Sequence, residues 1–176
     1  MPTIDPKTSV LLLIDFQTRL MPAIDDADAA IRNARKLFDI AELAQIPSLF
    51  TEQNPAGLGA TVESLPVKGE PFAKFSFDVC REPAFLQKIP ADADVIVAGC
   101  EAHVCVLQTV LGLRAAARKV FVVQDAIGSR RPEDKLAALR RMERHGADIV
   151  TSEMVAFEWL QTAKNPRFRE AIALIK

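Results

Sequence analysis

The chain has 176 residues, 49% of them hydrophobic and 26% charged, proportions that exclude a disordered or fibrous protein and fit one compact domain over residues 1–176. With 22 Lys and Arg against 23 Asp and Glu, the formal net charge is -1, so no basic surplus is offered to nucleic-acid phosphates. No apolar run approaches the roughly 20 residues of a membrane span. A small-molecule substrate is the expected partner, with no nucleic acid and no membrane, and the absence of a secretory pattern at the N-terminus points to the cytoplasm.

Val10–Ile14 is continuously apolar and ends at Asp15, as expected of a strand covered on both faces. Asp28–Ala44 places Ile31, Ala34, Leu37, Phe38 and Ala41 near helical spacing. Pro47–Thr51 reads as the next strand, and Asn54–Gly59 as a loop at the sheet edge. Between residues 60 and 80, Pro66, Gly69 and Pro71 break any period, and Ala73–Phe77 reads as a short strand or an ordered loop. Asp94–Gly99 predicts a buried strand, His103–Ala117 a helix, Val120–Val123 a strand, and Pro132–His145 a helix stopped by Gly146. Ile149-Val150 is a last short strand. Ser152 with Glu153 starts a helix carrying Val155, Phe157, Trp159 and Leu160, and Asn165-Pro166 opens a final one through Phe168, Ile172 and Leu174. This alternation predicts an α/β fold: a doubly wound, Rossmann-like, mostly parallel sheet with helices on both faces, three layers α/β/α.

In open parallel sheets, ligands bind beyond the carboxyl ends of the strands. Asp15 directly follows the first strand, Cys105 lies six residues beyond Gly99 in the predicted first turn of a helix, and Lys74 sits in the broken middle segment. A helix start favours thiolate over thiol and can build an oxyanion hole. Asp15 can take the thiol proton, and an ammonium at Lys74 can stabilise the thiolate. Each residue also has a plainer reading: Cys105 as a small core residue, Asp15 as a cap or turn, Lys74 as a solvated surface lysine. His103 reads as a helix-start or pocket-wall residue, His145 as a helix C-terminal residue, and Cys80 and Cys100 as buried or half-buried thiols. Three cysteines without a Cys-x-x-Cys pair, and two histidines, give no zinc spacing, so neither metal nor cofactor is expected. Two rival functions remain: a thiol redox protein in which Cys100 resolves an oxidised Cys105, and a catalytically silent binding module.

Four stretches sharpen the reading: Leu11–Gln17, Thr51–Gly59, Lys74–Phe77 and Val97–Val106. Over essentially its whole length the chain resembles the isochorismatase-like cysteine hydrolases, and among them the isochorismatase domain-containing group. The resemblance implies an Asp-Lys-Cys triad at Asp15, Lys74 and Cys105, and a cis peptide between Cys100 and Glu101. It also implies an oxyanion hole from the N–H groups of Glu101 and Cys105, and assembly as a homo-oligomer. Nicotinamidases of the superfamily hold a metal through Asp and His residues where this chain has Glu52, Gln53 and Asn54, which disfavours that activity here. Many members carry Thr where Ala102 stands, so substrates do not transfer from them. A retained cysteine points to acyl-enzyme chemistry on a small amide or related acyl compound, with Phe16, Gln53 and Phe75 as expected pocket walls.

Overall fold

The computed structural model describes residues 3–175. Six strands, β1 (Ser9–Ile14), β2 (Ser48–Gln53), β3 (Phe72–Lys74), β4 (Asp94–Cys100), β5 (Lys119–Gly128) and β6 (Asp148–Val150), form one sheet in the order β3-β2-β1-β4-β5-β6. Every neighbouring pair is parallel. The chain therefore reverses its direction of winding between β1 and β4, the switch point where such sheets open a crevice at their carboxyl ends.

The apolar runs explain the central strands. All six residues of β1 and all seven of β4 are buried, because helices cover both faces. Side chains alternate between two cores. Leu11, Leu13, Ile96, Ala98 and Cys100 face α1 (Ala27–Leu43), α6 (Ser152–Leu160) and α7 (Phe168–Ile175), whereas Val10, Leu12, Ile14, Val95 and Val97 face α4 (Leu107–Ala115) and α5 (Pro132–Arg144). This is the expected three-layer, doubly wound α/β architecture.

Several elements differ from expectation in their limits. The predicted helix from His103 begins as a π-helical turn, Ala102–Val106, before α4 takes over. β5 runs five residues past Val123 to Gly128, although Gln124 and Asp125 interrupt its apolar run. Asp125 turns its carboxylate to the start of α6, accepting from Ser152 N at 2.8 Å and Ser152 Oγ at 2.6 Å. The N-cap of α6 is Thr151, whose side chain accepts from Met154 N, so Ser152 lies inside the helix. The loop after β2 holds a short helix, α2 (Pro55–Leu58), and another, α3 (Pro83–Leu86), precedes β4. Trp159 is buried and donates from Nε1 to Ser9 Oγ at 2.9 Å, while Phe157 on the same helix is exposed. His145 caps the C-terminus of α5 as expected, with Nδ1 2.7 Å from Arg141 O. Among the described residues, no helix is long and apolar enough to cross a membrane.

Candidate active site

Three strand ends deliver the site. Asp15 leaves β1 in the left-handed region, φ 54°, a conformation aspartate tolerates better than most residues. Its N–H donates to Thr51 O at 3.1 Å, and Thr51 Oγ1 donates to its Oδ1 at 2.7 Å. Lys74, the last residue of β3, donates from Nζ to Asp15 Oδ2 at 2.8 Å, and both side chains are fully buried. The plainer readings of a surface lysine and of a capping aspartate therefore do not describe these residues. Instead they form a charge pair shielded from water, as a buried lysine requires.

Cys105 follows from β4. The Cys100–Glu101 peptide is cis, and the π-helical turn then brings Cys105 back over the sheet, 5% exposed. Its sulfur lies 3.9 Å from Gln53 Oε1, which also accepts from Lys74 Nζ at 2.7 Å. Burial is the main force on the thiol and the Asp15 carboxylate adds to it. Against the lowering influence of Lys74, these push the Cys105 pKa up from 9.0 to about 12. The sequence expectation of a thiolate favoured by a helix start is thus corrected: Cys105 rests as the neutral thiol, because desolvation, with the Asp15 charge, outweighs the Lys74 ammonium.

The other cysteines sit elsewhere: burial and the Asp78 carboxylate raise the Cys80 thiol, and burial raises the Cys100 thiol. Cys80 is half-buried and donates weakly to Thr109 O, and Cys100 is fully buried. Cys100 packs in the α1 core and Cys105 in the α4 core, on opposite faces of the sheet. A disulfide between them would need the backbone to move, which weakens the redox alternative.

The expected pocket residues divide. Gln53 is at the centre of the site. Phe75 contributes its carbonyl, which accepts from Gln53 Nε2 at 2.7 Å, while its ring is 77% exposed. Phe16 is not brought to the site: it is 1% exposed within the α1 core, since the turn at Asp15 sends it to the other face. Glu101 sits beside Cys100 with its carboxylate paired to Arg130 Nε at 2.8 Å. His103 has Nδ1 3.0 Å from Ser129 Oγ, as a helix-start residue rather than a base on the sulfur.

Two residues escaped the sequence reading. Gln17, fully buried, donates from Nε2 to Gln53 O and Gly59 O, at 3.0 and 2.6 Å, and accepts from Gln53 N at 2.8 Å. Thr51 orients the Asp15 carboxylate. Their signal was polarity next to apolar strand ends, which is also the signal of an ordinary turn. Glu52, at a position where nicotinamidases carry metal ligands, accepts instead from Thr61 N and Oγ1 at 2.7 and 2.8 Å. It pins the returning loop to β2.

Comparisons with known proteins bear on the family and the fold. The Isochorismatase domain family matches residues 9–154. Isochorismatase domain-containing protein 1 of Danio rerio is 36% identical over 177 aligned residues; the match covers 98% of this chain and 62% of that longer relative. The solved MAR1 ribonuclease from Caenorhabditis elegans superposes with a TM-score of 0.91 at 36% identity, covering 98% of this chain and 92% of that one. The YcaC gene product of Escherichia coli, described as an octameric hydrolase of unknown specificity, gives a TM-score of 0.88 at 26% identity, covering 99% and 88%. On the family match, the relative aligned over 98% of this chain and the shared fold, the chain belongs to the isochorismatase-like hydrolase superfamily.

Proposed function

We propose that the chain hydrolyses a small amide or a related acyl compound through a thioester on Cys105. One observation carries the reading: the fully buried Asp15–Lys74 pair stands beside a thiol held in its neutral form. Losing the thiol proton to bulk water would leave a new charge in a medium that solvates charge poorly. Passing it from Sγ to Asp15 leaves the net charge of the site unchanged. Carboxylate, ammonium and thiol become carboxylic acid, ammonium and thiolate. Burial opposes the first process far more than the second, and the Lys74 ammonium stabilises the thiolate so formed. Asp15 is the general base, Cys105 the nucleophile, and Lys74 the charge partner of both.

The thiolate attacks the carbonyl carbon. As the S–C bond forms, the carbonyl π pair moves onto oxygen, where the N–H groups of Glu101 and Cys105 serve as the oxyanion hole. Collapse breaks the C–N bond while Asp15 returns its proton to the departing amine. Water then gives a proton to Asp15 and its hydroxide attacks the thioester. The C–S bond breaks and the thiolate recovers the proton from Asp15. One amide and one water become one acid and one amine, with no redox change and no cofactor called upon.

A thiol nucleophile must stay reduced, which puts the reaction in a compartment such as the cytoplasm; three free cysteines among the described residues support this. Assembly into a homo-oligomer belongs to the same reading, supported by the octameric neighbour and by exposed Leu136, Met154 and Phe157. RNA hydrolysis is a second reading, favoured by the neighbour described as a ribonuclease. The pairing of Lys74 with Asp15 and of Arg130 with Glu101 weighs against it, since phosphate contacts draw on free cations.

A panel of small amides, followed by amine release, and an RNA cleavage assay test the proposal together. Amide turnover is expected, abolished in Cys105→Ala and lowered about 10²–10⁴-fold in Asp15→Asn. Turnover undiminished in Cys105→Ala, or RNA cleavage without amide turnover, overturns it.

A further inference from the structure

Gln53 is held more firmly than a pocket wall requires. Its backbone is gripped on both sides by the Gln17 side chain, which accepts from its N–H at 2.8 Å and donates to its carbonyl at 3.0 Å. Its side chain is gripped as well. Nε2 donates to Phe75 O at 2.7 Å, and Oε1 accepts from Lys74 Nζ at 2.7 Å. Turning the amide over would set its NH₂ against the ammonium and its oxygen against the Phe75 carbonyl, so only one orientation satisfies both neighbours. Strand register enforces the arrangement, because Gln53 of β2 and Lys74 of β3 are paired residues.

The consequence falls on Lys74. An ammonium has three donors, and here one goes to Asp15 Oδ2 and one to Gln53 Oε1. With two directions fixed, rotation about the Cε–Nζ bond is fixed, and the third N–H is left for the sulfur, which itself donates to the same Oε1 at 3.9 Å and whose ionisation Lys74 favours. A carboxylate at this position would also hold the ammonium. It would add a negative charge beside a thiol already held protonated by burial and by Asp15, and would meet the Phe75 carbonyl with no proton to share.

We propose that Gln53 is a positioning residue of this site: as a neutral, orientation-locked acceptor it aims the Lys74 ammonium at the Cys105 sulfur. The inference rests on reading Asp15, Lys74 and Cys105 as the reacting groups. It adds a requirement at residue 53, an acceptor without charge.

Alkylation by iodoacetamide tests it on the full chain, with rates at each cysteine resolved by fragment mass spectrometry in wild type, Gln53→Ala and Gln53→Glu. Thermal unfolding of each variant reports whether it is folded. Cys105 alkylation is expected to slow about 10- to 100-fold in Gln53→Ala, the scale of a misplaced catalytic contact, and at least as much in Gln53→Glu, with Cys80 unchanged. A merely structural role would loosen the site and leave Cys105 as reactive or more so. Wild-type or faster rates at Cys105 in folded Gln53→Ala or Gln53→Glu overturn the inference. The underlying reading fails separately, if wild-type Cys105 itself reacts no faster than Cys80.

Discussion

Lys74 shows how far a residue's surroundings outweigh its type. Lysine is almost never fully buried unless paired, and here the Asp15 carboxylate and the Gln53 amide supply the pairing. The pair is of little net worth as a source of stability, since desolvating two charges offsets most of their attraction, but breaking it leaves one charge stranded. Lys74→Met should therefore destabilise the protein by about 3–5 kcal/mol, and adding Asp15→Asn should recover a large part of that loss. Urea denaturation of the two single variants and the double variant measures this. If Lys74→Met falls within about 1 kcal/mol of wild type, as for a surface ion pair, the two side chains are not the shielded pair described.

At the scale of elements, the site depends on how closely the ends of β1 and β4 approach. Gly99 has φ +153°, and a Cβ there would lie 2.5 Å from Ile14 O and 2.6 Å from Ile14 Cβ. These are backbone and branched side-chain atoms that cannot swing aside. Ile14 immediately precedes Asp15, and Gly99 lies near the end of β4, from which the chain runs directly into the turn that carries Cys105, so separation at this point spreads the two groups that must exchange a proton. Gly99→Ala is expected to lose about 1–3 kcal/mol of stability through backbone strain and crowding, and to slow Cys105 alkylation even where the variant stays folded. Unchanged urea midpoint and unchanged alkylation would show that the close approach is not needed. The π-helical turn Ala102–Val106 makes the complementary contribution, returning Cys105 to the crevice before α4 begins.

Across the whole molecule, the layered fold was readable because its cause is local. Strands covered on both faces must be continuously apolar, and β1 and β4 are. The extension of β5 was hidden because Asp125 is polar for a reason that lies elsewhere, at the first turn of α6. In the site, Asp15 and Cys105 were legible from position, each following an apolar strand run. Lys74 was not legible in that way, for its partner is 59 residues away and its own segment is broken by Pro66, Gly69 and Pro71. Lys74 stood as a candidate ammonium beside a plainer reading as a surface lysine, the resemblance favoured the first, and the geometry explains its burial. The protonation state of Cys105 lay beyond any motif, because it depends on desolvation, a property of the assembled crevice.

The central claim is that the Cys105 proton moves inside the site rather than to solvent, and the pH dependence of iodoacetamide alkylation tests this most directly. Burial and Asp15 keep Cys105 a thiol up to about pH 12. Reaction through solvent ionisation would therefore accelerate about tenfold per pH unit between about pH 6 and pH 9, as expected for Cys80, whose thiol is pushed equally high. Internal transfer to Asp15 takes no proton from or to the solvent, so the account predicts a nearly level Cys105 profile in wild type and a rising one in Asp15→Asn. A wild-type Cys105 profile that rises in parallel with Cys80 would contradict it.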